Sequence, residues 1–227
     1  MSSVNFLLLS GSPRGKMSTS YSLLEYLKTQ LEGLGKSCEL FISHKILRNE
    51  DDFDNFCDLL DDADYLVLAA PLYVDSLPSH VIETLTRLLK RKRNNSSDEN
   101  PKFLAIVNNG FPEQQQNHLA LQMCNQFAQE ANLQWIGGVP FGGGAIIGGA
   151  RLDSTGGRGR HARSAMDILA EALSKNEELP EDCISRINKR VVPRRLYIMI
   201  AHQGWKKQSG SNKVRDRLED QPYLVSE

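Results

Sequence analysis

The stretch Val4-Asn5-Phe6-Leu7-Leu8-Leu9-Ser10-Gly11-Ser12-Pro13-Arg14-Gly15-Lys16-Met17-Ser18-Thr19-Ser20 changes character twice. Residues 4–10 form a near-continuous apolar run, the pattern of a strand covered on both faces. Residues 11–19 are small, polar and punctuated by glycine. From Ser20 onward Leu23, Leu24, Leu27, Leu31 and Leu34 recur at helical spacing, and Gly35 stands as a C-cap. A buried strand, a tight polar turn and an amphipathic helix in that order open a βαβ unit, so a parallel sheet with helices on its faces is expected.

The alternation continues along the chain. Residues 38–42, 65–70, 103–107 and 134–139 read as four further strands. Phe53, Phe56, Leu59 and Leu60 mark a second helix. Val81, Ile82, Leu85, Leu88 and Leu89 mark a third, with Pro78 placed as an N1 proline, and residues 117–132 form a fourth. The polar residues 90–100 read as a surface loop. Five strands joined by right-handed crossovers favour an open sheet, and a TIM barrel, which needs eight units, is excluded. Beyond the fifth strand, residues 142–160 are glycine-rich and read as loop. Residues 163–173 and 181–190 are candidate helices, 196–201 is a short apolar segment, and the polar stretch from Gln203 completes the chain. The expected organisation is one domain over residues 1–180, with residues 181–227 as an extension packed on it or on a partner subunit.

Composition narrows the function classes. Among 227 residues, 27 Lys and Arg balance 28 Asp and Glu, a formal charge of −1. That balance argues against bulk binding to nucleic acid or a membrane surface. Cys38, Cys57, Cys124 and Cys183 are dispersed and form no CxxC pair, so reduced thiols and no metal site are expected. The Asn-x-Ser patterns at Asn94 and Asn95 carry little weight without a secretory signal. No basic leader precedes the opening apolar run, and no stretch approaches the roughly 20 apolar residues of a membrane span. A soluble, cytoplasmic protein is expected.

Chemistry concentrates where expected strands end. Free N–H groups and the positive end of the helix dipole make the turn before the first helix an anion site. Ser12, Ser18, Thr19 and Ser20 add hydroxyls there, and Arg14 can pair a phosphate with two N–H groups. The plainer alternative is that Ser18, Thr19 and Ser20 only cap the helix. A dinucleotide fingerprint fails, because Gly11 and Gly15 are wrongly spaced for GxGxxG. A P-loop also fails: the glycine spacing is one residue short, and Met17 replaces the magnesium-binding hydroxyl. Several hydroxyls with no metal ligand suit a compact phosphomonoester, and FMN ends in such a group.

Two further segments belong to the same edge of a sheet ordered 2-1-3-4-5, in which the order reverses between the first and third strands. Pro71, Leu72, Tyr73, Val74, Asp75 and Ser76 follow the third strand, with Tyr73 as a stacking surface and backbone N–H groups near Asp75 and Ser76. Asn108, Asn109, Gly110 and Phe111 follow the fourth, offering amide donors and acceptors and, at Gly110, close backbone approach. Alone, the third segment is an ordinary Asn-Gly turn.

Together GSPRGKMSTSYS at 11–22, AAPLYVDSLPSHVIETL at 69–85 and NNGFPEQQQN at 108–117 resemble the flavodoxin-like NAD(P)H-dependent FMN reductase family, over about residues 4–175. The resemblance implies a flavodoxin-like three-layer α/β/α fold with a five-stranded parallel sheet of order 2-1-3-4-5. By it, Ser12, Arg14, Ser18, Thr19 and Ser20 would hold the FMN phosphate, while residues 71–76 and 108–111 would line the isoalloxazine. It implies hydride transfer from NADPH or NADH to the flavin, then reduction of a small acceptor such as a quinone or free flavin. It also implies a homodimer or homotetramer. No side chain is required as a catalytic acid or base, because the cofactor performs the hydride chemistry. Two alternatives stay open: an electron-transfer flavodoxin that does not bind nicotinamide, and a binding module without flavin.

Three charged features lie outside this pattern. Acidic residues crowd 50–64 and basic ones 194–217, either as solvated faces or as an acidic helix on which the basic tail docks. Lys90, Arg91, Lys92 and Arg93 fit a nuclear or nucleic-acid patch, but read better as the solvated end of the third helix. His161 with Arg158, Arg160 and Arg163 reads as an exposed cluster, or as a seat for a nicotinamide-nucleotide phosphate.

Overall fold

A computed structural model describes residues 5–94, 100–190 and 192–221. Val4 of the expected first strand, and the Asn95 pattern, lie outside them. Five strands, β1 (Asn5–Ser10), β2 (Ser37–Ile42), β3 (Tyr65–Pro71), β4 (Lys102–Asn108) and β5 (Gln134–Phe141), form one parallel sheet of order β2-β1-β3-β4-β5. The expected topology is met, and each of β3, β4 and β5 runs one or two residues past its predicted end.

Both faces of the sheet are covered, which explains the continuous apolar runs. Phe6, Leu8, Val67 and Ala69 face a core built with Leu23, Leu24, Leu27 and Leu31 of α1 (Thr19–Gly33) and Met166 and Leu169 of α6 (Arg160–Ser174). Leu7, Leu9, Leu66 and Leu68 face the opposite core. That core holds Phe53, Phe56 and Leu60 of α3 (Glu50–Asp61), Val81, Leu85 and Leu88 of α4 (Ser79–Asn94), and Cys124 and Phe127 of α5 (His118–Glu130). The two-residue alternation along each strand sorts side chains between two helical layers.

Local chemistry sets the ends of these elements. Ser18 caps α1, its Oγ accepting from the Tyr21 N–H at 3.2 Å. At the other end Gly35 takes φ +77°, while the Lys36 N–H donates to the Leu31 carbonyl and the Gly35 N–H to that of Glu32. This is the Schellman pattern expected of Gly35. Asn49 caps α3 through Asp52, and the one-turn α2 (Ser43–Ile46) between β2 and α3 was not expected.

The basic run beyond Leu89 continues α4 instead of forming a loop, because it has acidic partners on α3. Arg87 pairs with Glu50, Arg91 with Asp54 and Asp58, and Lys92 with Asp61. Four of the eight carboxylates considered as a dock for the basic tail are thus bound within their own layer.

The chain divides into residues 1–189 and 190–227. Helix α7 (Glu181–Ile187), expected to belong to the extension, lies in the first unit and supplies Cys183 and Ile187 to its core. The second unit is α8 (Arg194–Ser211) followed by a 3-10 turn at Arg215–Arg217. Among the described residues no helix is long and apolar enough to cross a membrane.

Candidate functional site

The three segments meet at the carboxyl edge of the sheet. Ser10 is in register with Ala69, and Pro71 with Asn108, which in turn pairs with Phe141. Gly11 follows β1 directly, and its N–H donates to the Ala69 carbonyl at 2.8 Å. A Cβ at Gly11 would lie 2.6 Å from Val81 Cγ2 and 2.9 Å from Ala70 Cβ, so the turn leaves the sheet through a space only glycine fits.

The turn then winds tightly. The Arg14 N–H donates to Ser12 Oγ at 3.3 Å, and the Gly15 N–H to the Ser12 carbonyl at 3.1 Å. Gly15 needs φ +55°. Arg14 is exposed, and its guanidinium has no partner among the described residues. It stands ahead of the α1 N-terminus, where the first N–H groups lack helical acceptors.

The hydroxyls are placed differently from the expected phosphate cradle. Ser18 Oγ donates to the Gly15 carbonyl (2.7 Å), Thr19 Oγ1 to the Gly144 carbonyl (2.9 Å) and Ser20 Oγ to Asn108 Oδ1 (2.7 Å). All three residues are buried. A hydroxyl has one hydrogen to give, so in this arrangement these three donate to the protein itself. Ser12 Oγ acts as an acceptor and keeps its hydrogen. The donors left to an anion are therefore the exposed Arg14 guanidinium, the hydroxyl of Ser12, which is itself only 2% exposed, and the first-turn N–H groups other than that of Tyr21, which Ser18 takes. That set fits a phosphomonoester, with Ser18, Thr19 and Ser20 as its framework in this conformation.

The second segment forms a two-residue hairpin turn. Tyr73 and Ser76 exchange backbone hydrogen bonds of 2.9 and 3.1 Å, while Val74 and Asp75 take φ +49° and +58°. A β-branched residue in the left-handed region is a genuine outlier, worth on the order of 1–3 kcal/mol of strain. Val74 is 98% exposed, and Tyr73 and Phe111 also stand open to solvent. Leu72 ties this segment to the third, its N–H donating to the Asn108 carbonyl at 2.8 Å. Asn109 is spent internally, its Nδ2 donating to the Glu113 carbonyl and its Oδ1 accepting from the Phe111 N–H.

Two features were missed in the sequence. His44 and His80 lie edge to face with ring centroids 5.7 Å apart, beside the Gly11–Gly15 turn, and His44 Nδ1 and His80 Nε2 are buried without partners. Burial, then the neighbouring His44, holds His80 below the usual imidazole range, and a hydrogen bond to the Gly11 backbone opposes this. Two histidines far apart in sequence gave no signal. The other feature did give one. Segment 143–150 of the glycine run lies against the turn between β1 and α1, and a Cβ at Gly149 would overlap the Met17 carbonyl.

Of the basic cluster around His161, Arg163 is structural. Arg163 donates to the carbonyls of Leu152 and Gly156 and to Thr155 Oγ1, holding the segment before α6. Among the described residues no group of three or more metal-ligating side chains occurs.

A five-stranded parallel sheet of this order, with helices on both faces, places the turn at the point where strand order reverses. The chain has a flavodoxin-like fold. It is similar to an NAD(P)H:quinone oxidoreductase from Methanothermobacter marburgensis, with TM-score 0.60 and 15% identity over 76% of this chain and 96% of that one. It is also similar to a Trp repressor binding protein from Bacillus subtilis (TM-score 0.54, 16% identity, 72% and 99% covered). A third is general stress protein 14 from Treponema denticola, solved in complex with FMN (TM-score 0.53, 14% identity, 75% and 99% covered). No family model and no curated protein matches the chain. In flavodoxin-like folds the crevice outside the carboxyl ends of the strands at the switch point is where ligands bind.

Proposed function

We propose that the chain is a flavin-dependent oxidoreductase that binds FMN at this crevice and reduces a small acceptor with NADPH or NADH. The observation that carries the reading is the unpartnered Arg14 ahead of the α1 N-terminus at the switch point. An anion bound there would draw on a guanidinium fork and on the N–H groups that open α1. Ser12 adds its hydroxyl hydrogen, and Gly11 and Gly15 shape the turn around the phosphate. The segments 71–76 and 108–111 wall the heterocycle, with Tyr73 as a flat face and Asn108 bracing the two loops. When bound, the cofactor supplies hydride and electron transfer, and the protein orients it and limits its access to water. The solved structures of the same fold include an NAD(P)H:quinone oxidoreductase and an FMN complex, which supports this reading and makes a quinone-like acceptor the first to try.

The test begins with the absorbance spectrum of the purified full chain, with and without added FMN. Anaerobic mixing with NADPH or NADH follows. Flavin uptake that Arg14→Ala weakens at least tenfold, with rapid bleaching by one nicotinamide, is the expected result. Flavin uptake without bleaching would make the protein an electron carrier. A colourless protein that ignores added FMN would end the flavin reading.

A further inference from the structure

The segment from Gly143 to Ala150 presents carbonyl oxygens where an anion site needs donors. Thr19 Oγ1 donates to the Gly144 carbonyl at 2.9 Å, and Ser22 Oγ donates to the Ala150 carbonyl at 2.7 Å. Between these two bonds, Gly149 packs so closely on the Met17 carbonyl and the Ser18 N–H that no side chain fits. The Gly144 N–H donates to the Asn109 carbonyl at 2.8 Å, and that of Gly143 to the Phe111 carbonyl at 2.5 Å. The segment thus spans from the third loop to the cap of α1.

We infer that residues 143–150 are a built-in cover for the phosphate end of the crevice, which a phosphomonoester must displace to gain the Thr19 hydroxyl. The inference rests on the anion-site reading given above and adds its regulation. Three observations carry it. The covering groups are acceptors, and carbonyl oxygens repel a phosphate, so cover and ligand exclude each other at Thr19. The cover has an anchor, because Ile147 is buried in the core. It also has freedom on both sides of that anchor: Gly143, Gly148 and Gly149 take φ +79°, +62° and +79°. Glycine populates both signs of φ at little cost, so peptide units there can reorient while Ile147 stays fixed. A ligand that selects the open arrangement binds with an apparent affinity reduced by the fraction of molecules that are closed.

Two variants loosen the cover without altering Ser12, Arg14 or Thr19. Ser22→Ala removes one anchor and leaves the Ala150 carbonyl unpaired. Gly149→Ala places a Cβ against Met17 at a positive φ. FMN affinity of the full chain is measured by quenching of flavin fluorescence, with riboflavin as the probe lacking a phosphate. Hydrogen exchange of amides 143–150 is followed with and without each. Both variants should bind FMN more tightly, Ser22→Ala by roughly fivefold, the value of one hydrogen bond. FMN should raise exchange in 143–150, and riboflavin should not. If FMN binds but the variants bind it equally or more weakly and exchange falls, the segment is a wall of the site and the inference alone is overturned. If neither wild type nor variants bind FMN, the flavin reading fails and takes the inference with it.

Discussion

Ser20→Ala separates the two roles that a hydroxyl at the start of α1 can have. In the structure Ser20 Oγ donates to Asn108 Oδ1 at 2.7 Å with both residues buried, joining the first and third loops. Alanine leaves the amide oxygen without a donor in a site closed to water, which costs about 1–3 kcal/mol. For a unit of this size each kcal/mol lowers the melting temperature by about 2–4 °C, so a fall on the order of 5 °C is expected. Urea melts of the ligand-free chain should show a lower midpoint with an unchanged slope. The cycle completed with Asn108→Ala should be non-additive by on the order of 1 kcal/mol, because the second truncation removes the oxygen that the first one orphaned. Unchanged ligand-free stability together with a tenfold loss of FMN affinity would refute this reasoning. Ser20 would then be the phosphate donor that the sequence pattern suggested.

Burial pushes the Cys38 and Cys57 thiols up to about 11 and those of Cys124 and Cys183 to about 12, so the native chain should resist a thiol reagent at pH 8 and release four equivalents in denaturant. His80 is held below its ordinary imidazole range, so the unfolded chain takes up its proton first as the pH drops. Its stabilising contribution is whole above about pH 6.5 and is lost as pH falls through the folded value. Denaturant midpoints should decline below about pH 6.5, and His80→Gln should flatten that decline. Both core clusters lie within residues 6–187. A chain ending at Lys189 should therefore melt cooperatively near the full-length temperature, and collapse to an unfolded spectrum would show that the second unit is needed.

The sheet was legible because its central strands are covered on both faces and read as unbroken apolar runs, as at residues 6–9 and 65–70, whereas the edge strands β2 and β5 are only partly buried. The Gly35 cap was legible because only a residue tolerant of positive φ ends a helix in that way. The turn after β1 was singled out as a candidate anion site by its composition, but the partners of its hydroxyls were not legible. The partners of Thr19 and Ser20 lie at Gly144 and Asn108, far along the chain, and composition does not encode who meets whom. The basic end of α4 was legible as a helix end, but its charges read as solvated, because Arg91 and Lys92 show their acidic partners only once α3 is placed beside them. The histidine pair left no trace, since it depends on α2, a single turn too short to show a period.

The outer edge of β5 carries a last consequence. The pairing with β4 slips at Phe103 and Leu104, Gly137 sits at φ +130°, and Pro140 has no N–H to offer. The side chain of Asn188 then takes both the Pro140 carbonyl and the Gly142 N–H. An edge so kinked and so occupied gives an incoming strand nothing to zip onto. Copies of this protein that associate by strand pairing would therefore have to use the opposite edge, β2, because this border of the sheet is closed to growth.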